Sequence, residues 1–264
     1  MSDFPPPTFD TTRPHPARVR NYLLGGKDHF PVDREYADAL TTIFPNIVDV
    51  AHASREFLVR AVTYLAADAN VRQFLDIGPG LPVENSTHQI AQQVAPQSRI
   101  VYVDNDPLVL THARALLVGA PEGVTASIDA DLHEPKVILE RAAETLDFTE
   151  PVGLILTAVM GLVVDLDEAY TITRTLLDAL PSGSYLVLDD GAADPDNEQI
   201  LNMQTLSDDY GYRYTYRTEQ QIAGFFDGLD LVEPGIVTPT HWRHTPEPDS
   251  PAVPFEACGV GRRR

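Results

Sequence analysis

The chain has 264 residues, 43% of them hydrophobic, and carries 39 acidic against 19 basic side chains, a formal charge of −20 at neutral pH. That balance argues against an enzyme that grips nucleic acid through its phosphates, which needs clustered Lys and Arg, while the apolar content suffices for one substantial core. No run approaches the roughly 20 apolar residues of a membrane span, the start lacks a basic-then-apolar leader, and the single cysteine, Cys258, excludes an internal disulfide or thiolate metal cluster; a cytoplasmic protein is expected.

In chain order, residues 1–15 are rich in Pro and Thr with little to bury and read as disordered. Residues 16–70 read as a helical cap. Its first helix, from Pro16 to Leu24, is stopped by Gly25-Gly26; a second, from Asp33 to Phe44, is halted by Pro45. The third, from Ile47 to Ala67, has an apolar stripe suited either to packing the cap onto the rest of the chain or to a homodimer contact.

From 71 to 264 the pattern alternates strand and helix. Strands are predicted near 73–77, 99–104, 124–128, 152–158, 184–190, 230–237 and 256–262, the fourth and fifth being apolar enough to lie centrally. After a helix at 219–228, two strands flank a loop carrying Pro239, Pro246, Pro248, Pro251 and Pro254. So direct a connection makes the final pair antiparallel. The expected fold is α/β, a Rossmann-like seven-stranded sheet with an antiparallel final strand and an N-terminal helical cap.

The chemistry concentrates at the first strand, Phe74-Leu75-Asp76-Ile77-Gly78-Pro79-Gly80, and at the second, which ends Tyr102-Val103-Asp104. A strand ending in an acid and a glycine turn, followed by a strand ending in a lone carboxylate, suits an adenosine-containing cofactor. A dinucleotide needs a third glycine for its pyrophosphate; here that position is Val83, and Glu84 at the helix start would repel a phosphate but not a cation. S-adenosylmethionine (SAM) carries a sulfonium and no phosphate, so it fits better. Asp76 and Gly78 suit its amino group, Asp104 its ribose diol and Asp131 its adenine amine, with Gly80, Asn105, Leu132 and Thr157 beside them. An NAD-dependent oxidoreductase is the weaker alternative.

Around Gly25-Gly26 stands a polar crowd that a helix stop alone does not require. If the cap covers the carboxyl edge of the sheet, Arg18 or Lys27 can pair with the methionine carboxylate, and Tyr22 or His29 can face the methyl group or its acceptor. His29 and Asp190 are the candidate bases if the acceptor must lose a proton. Asp189-Asp190 with Asn197 hints at a divalent ion, but Thr157 stands where another carboxylate ligand is needed, so no metal is expected. The fourth strand ends Leu156-Thr157-Ala158-Val159-Met160-Gly161, without the Asn/Asp-Pro-Pro-aromatic turn of nucleobase methylation.

Pro16-Ala17-Arg18-Val19, Tyr22-Leu23-Leu24-Gly25-Gly26-Lys27-Asp28, Phe30, Asp33-Arg34-Glu35, the glycine loop with Leu81-Pro82, Thr87-His88 and Asp104-Asn105-Asp106-Pro107 together resemble the SAM-dependent methyltransferase family with an N-terminal YLLGGKDNF-type box. The resemblance runs from about residue 14 to the C-terminus. It implies a Rossmann-like methyltransferase fold and SAM as cofactor, with acceptors largely unassigned. In that family an aromatic residue often stands at Arg20, Asn at His29, and His at Gly161 and Asp190. A small-molecule acceptor is expected, and a SAM-binding protein without turnover, a sensor or partner subunit, is the alternative.

Overall fold

The structure is a computed structural model, describing residues 10–116, 119–244 and 253–264. Five parallel strands, β1 (Gln73–Ile77), β2 (Arg99–Asp104), β3 (Val124–Asp129), β4 (Val152–Thr157) and β5 (Tyr185–Gly191), are joined by β6 (Leu229–Leu231) and β7 (Glu256–Arg263) in the order β3-β2-β1-β4-β5-β7-β6. β7 inserts antiparallel between β5 and β6. The sheet reverses direction of growth between β1 and β4, which places a crevice outside their carboxyl ends.

β4 and β5 are buried along their whole length and carry no polar/apolar alternation, as strands covered on both faces must. The sixth strand, expected over 230–237, is shorter, because Pro234 and Gly235 turn the chain away; pairing with β7 resumes only at a bridge from Val237 to Cys258. One sheet face is covered by α6 (Pro135–Ala142), α7 (Leu166–Asp178) and α9 (Glu219–Gly224), the other by α3 (Ile47–Ala67) and α4 (Thr87–Val94).

The expected cap divides in two. The apolar stripe of α3, with Phe57, Leu58, Ala61, Val62 and Leu65, packs on Phe74, Ile155, Val187 and Val260, so it belongs to the sheet's own core. α1 (Pro16–Leu23) and α2 (Pro31–Ile43) stand at the carboxyl edge, where they join the first turns of α3, through Ile47, Val50 and Ala53, and α8 (Glu198–Asp209) in a separate apolar cluster around Tyr36 and Phe44. Cys258 is buried, as a small apolar side chain in the last strand should be.

Residues 10–15 are held, in contrast to the disordered segment expected there; the rest of that segment, 1–9, lies outside the described residues. Arg18 explains the difference. Its Nη1 donates to Asp10 O at 2.9 Å and its Nη2 to Arg13 O at 3.1 Å, while Nε approaches Asp33 at 3.5 Å and Asp106 at 3.9 Å. Asp33, fully buried, also accepts from the backbone N–H groups of His15 and Phe30, and so ties the starts of α1 and α2 together. His15 caps α1 and pairs with Asp106 at 2.9 Å. Removing one member of a buried ion cluster leaves its partners uncompensated. Arg18→Met is therefore expected to lower the unfolding free energy by about 3–5 kcal/mol, read by denaturant titration; a change under about 1 kcal/mol, the range of an ordinary surface site, would contradict this role.

Candidate active site

The first βα turn needs a backbone that only glycine adopts easily. Gly78 and Gly80 have φ of +71° and +69°, and a Cβ on Gly78 would meet Val159 Cγ2 at 2.7 Å. The turn therefore stays low and opens a cleft of about 880 Å³, counting its open mouth, across the carboxyl ends of β1, β2 and β4. Gly78, Gly80, Asp104, Asn105, Asp131, Leu132 and Thr157, all expected from the sequence to bind a cofactor, line this one cleft. Asp76 lies behind the turn and lines a neighbouring cavity of about 450 Å³ with Gly80 and Asp104.

The electrostatics differ from one acid to the next. Asp104 is pushed up to about 6, chiefly by burial, although the Asp106 N–H donates to it at 2.9 Å. Asp76 is likewise raised to about 6 by burial; one carboxylate oxygen accepts from Thr87 Oγ1 at 2.6 Å and the other is buried without a partner. That orphaned oxygen suits a cationic or N–H-bearing ligand and would be costly beside an anion. Burial also acts on Asp131, but the His133 N–H and ring outweigh it and hold its carboxyl below the usual range. Asn105 Nδ2 donates to its other oxygen at 3.0 Å.

A second cleft, of about 830 Å³, lies between α1, α2, α3 and α8. Its wall is the alternating run Tyr212-Arg213-Tyr214-Thr215-Tyr216, whose three rings line the space together with Tyr36, Phe44 and Phe255. The two clefts meet at Pro16, Arg20 and Ala158, which line both. Ala158 has φ +52°, an uncommon conformation for a residue with a Cβ, held by its N–H donating to Asp189 O at 2.8 Å. Arg20 Nη2 donates to Ser54 Oγ at 2.7 Å.

The N-terminal box does not supply these clefts with the groups expected of it. Arg18 is consumed by the buried ion cluster. Lys27 is exposed and lines neither cleft. The Tyr22 hydroxyl donates to Asp38 at 3.0 Å, and the His29 ring is engaged by Gly26 O and Arg34. Gly26 has no room for a Cβ, since the Asn21 side chain would lie 2.3 Å away, and Asn21 Oδ1 accepts from Asp28 N–H at 3.0 Å. The box is thus built as a tight turn around Asn21.

Asp190 also differs from its expected role as a base. It is 1% exposed and saturated: the N–H groups of Gly161 and Gly191 and the Tyr214 hydroxyl all donate to it. His241 and Trp242 of the proline-rich segment pack toward α3, where Trp242 meets Phe57 at 5.4 Å between ring centroids; residues 245–252 lie outside the described residues.

Two signals in the sequence bear on the second cleft and a third on the first. Tyr212, Tyr214 and Tyr216 alternate at the period that puts side chains on one face of an extended chain. Arg20 lies one helical turn after Pro16, on the opposite side of α1 from Arg18. His133 follows Asp131 closely enough to reach its carboxylate, at 2.7 Å.

The sequence pattern of a family described as S-adenosyl methyltransferase matches residues 2–264, nearly the whole chain. The chain belongs to the S-adenosyl methyltransferase family. As such it is a SAM-dependent methyltransferase, and its cofactor is SAM. A crystal structure of a DUF574-family protein from Streptomyces avermitilis superposes on this methyltransferase with TM-score 0.92 and 41% identity, over 97% of this chain and 99% of that one. A candidate methyltransferase from Thermobifida fusca YX gives TM-score 0.88 and 36% identity over the full length of both. A SAM-dependent methyltransferase from Anabaena variabilis, 15% identical with TM-score 0.51 over 76% and 80% of the two chains, shares the fold. No curated protein matches the chain.

The buried acids make the stability of the free methyltransferase depend on pH. Asp76, Asp104 and Asp189 each hold a proton up to about pH 6 in the fold, mainly through burial, against 3.8 as their ordinary value. Their stabilising contribution is complete below the ordinary value and is lost as pH rises through the raised one. The melting temperature of the free protein should fall between about pH 4 and pH 6, measured by scanning calorimetry, and Asp104→Asn should flatten part of that slope. A melting temperature that climbs steadily across the window would contradict the burial of these carboxyls.

Proposed function

We propose that the cleft at the glycine turn holds SAM and that the tyrosine-walled cleft holds a small-molecule acceptor, the two reacting groups meeting where Pro16, Arg20 and Ala158 line both spaces. That junction is the observation that carries the reading. The donor set fits the cofactor: a turn low enough for close approach, Asp104 for a diol and, in the adjoining cavity that shares Gly80 and Asp104 with the cleft, an Asp76 oxygen without a partner among the described residues for an ammonium. When bound, SAM supplies an electrophilic methyl group on a sulfonium.

The protein's part is orientation and exclusion of water, since an in-line displacement gains most from those two effects. Asp104 would accept from the ribose hydroxyls and Asp131 and Leu132 would flank the adenine, with Asn105 fixing Asp131. Arg20 replaces Arg18 and Lys27 as the partner of the methionine carboxylate, because it is the arginine lining the cleft. The YLLGGKDNF-type box, in this reading, fixes the turn after α1 so that Pro16 and Arg20 face the junction. The enzyme is read as cytoplasmic, and its charge of −20 disfavours a nucleic-acid acceptor.

Titration calorimetry with SAM, S-adenosylhomocysteine and NAD tests the cofactor site. The two SAM-type ligands should bind and NAD should not. Asp104→Ala should weaken binding by roughly 1–3 kcal/mol, and wild-type affinity should fall below about pH 6, where Asp104 takes up a proton. Binding of NAD alone, or an Asp104→Ala variant that binds SAM normally, would overturn this placement.

A further inference from the structure

The acceptor cleft has one charged end that the methyl-transfer reading leaves unused. Glu256, at the start of β7, lines the cleft and is 8% exposed; its strand partner is Gly191. Two residues along β5, on the same face of the sheet, Asp189 is completely buried; among the described residues no donor meets either carboxylate oxygen in ordinary hydrogen-bond geometry, although Ser54 and Glu256 lie close enough to act on its charge. Buried carboxylates in such a state are destabilising unless a donor arrives to satisfy them. Among the described residues Arg20 and Glu256 are the charged ones lining the cleft; Arg20 also lines the cofactor cleft and is bonded to Ser54, and its charge bears on Asp189 and Glu256 as well.

The walls favour the same kind of ligand as the floor. Tyr36, Tyr212, Tyr214, Tyr216 and Phe255 present rings to the space, and ring faces attract cations. The tyrosines bring no competing charge: burial raises all four hydroxyls, Tyr36 to about 12 and the others further. An anionic acceptor would face Glu256 and Asp189, whose charge Arg20 offsets only in part. A neutral alcohol would gain nothing from the rings beyond its apolar contact.

Resting on the placement of SAM and acceptor given above, the geometry points to an acceptor that is an amine on a flat apolar body, its nitrogen held by Glu256 backed by Asp189. β7 and β4 are two strand spacings apart, about 10 Å, and Glu256 and Ala158 line the same cleft. Glu256 is then a catalytic residue. Its carboxylate takes one proton from the bound ammonium and frees the nitrogen lone pair; that pair forms the N–C bond, the pair of the broken S–C bond stays on sulfur, and the product leaves as a methylammonium. The groups that bear on Glu256 agree with a base of this kind. Burial first, then Asp189 and Asp190, push its carboxyl well up, and Arg20 partly offsets them. Tyr214 and Tyr216 lie against it from the aromatic wall, and Cys258, two residues on in β7, is itself raised by burial.

The test uses three compounds that share one ring system: tryptamine, tryptophol and indole-3-propionate. Binding to the full chain saturated with S-adenosylhomocysteine is measured by calorimetry, with transfer of labelled methyl from SAM as the second readout. Tryptamine should bind at least tenfold tighter than tryptophol, indole-3-propionate should not bind, and label should appear on the amine. Glu256→Gln should abolish the preference and the transfer while S-adenosylhomocysteine binding is unchanged. Asp189→Asn should weaken tryptamine tenfold or more and yet raise the melting temperature, which a merely structural carboxylate would not do. Equal or tighter binding of the alcohol or the acid, no binding of tryptamine, or unaltered amine binding by Glu256→Gln overturns the proposal. Failure of S-adenosylhomocysteine to bind is a separate result that strikes the cofactor placement instead.

Discussion

A charge cluster that water barely reaches, Arg18 with Asp33 and Asp106, is the constraint on which the site depends. Asp33 anchors the start of α2, Arg18 belongs to α1, and Asp106 follows β2, so three segments far apart in sequence are fixed to one another at the carboxyl edge of the sheet. That fixation sets the phase of α1. With Arg18 turned inward, Pro16 and Arg20 are left to face the two clefts. Burying unlike charges is seldom a net source of stability, but it penalises any arrangement that separates them. Here the penalty keeps α1 over the glycine turn.

The sheet was legible in the sequence because buried parallel strands announce themselves. Phe74 to Ile77 and Val152 to Thr157 are nearly continuous apolar runs, and the acid and glycines that end the first of them have little other use. The cleft at the glycine turn was legible for the same reason: Gly78, Asp104 and Asp131 each end or follow a strand, so order along the chain maps directly onto order along the cleft. The cap was not legible to that degree. Arg18 and Arg20 are two residues apart on a helix and point to different sides, and local pattern does not say which side meets the ligand. Asp189 and Glu256 are neighbours only through the pairing of β5 with β7, a contact between distant segments that no spacing rule reports.

The two clefts use buried acidity differently. Around the glycine turn Asp76 and Asp104 are separated and each can receive a distinct ligand group. Beside the tyrosine-walled cleft Asp189 and Glu256 share one neighbourhood, so the charge state of either depends on the other. An enzyme with a net charge of −20 thus keeps part of its negative charge inside, beside the places where a sulfonium and an amine are read to lie. The surplus acid is a feature of the working surface as well as of the exterior.

Gly161, Asp190 and Tyr214 form one unit. A Cβ on Gly161 would fall 2.4 Å from the Tyr214 ring; the Tyr214 hydroxyl donates to Asp190, and Asp190 accepts the Gly161 N–H. The two positions where the family resemblance implies histidines are therefore tied to each other through a third residue that forms the cleft wall. Exchanging one alone strands the others: a side chain at Gly161 displaces the tyrosine, and loss of Asp190 leaves its donors unmatched. Such positions change non-additively. A side chain at Gly161 or the loss of Asp190 is therefore accommodated in this chain only together with a change at Tyr214.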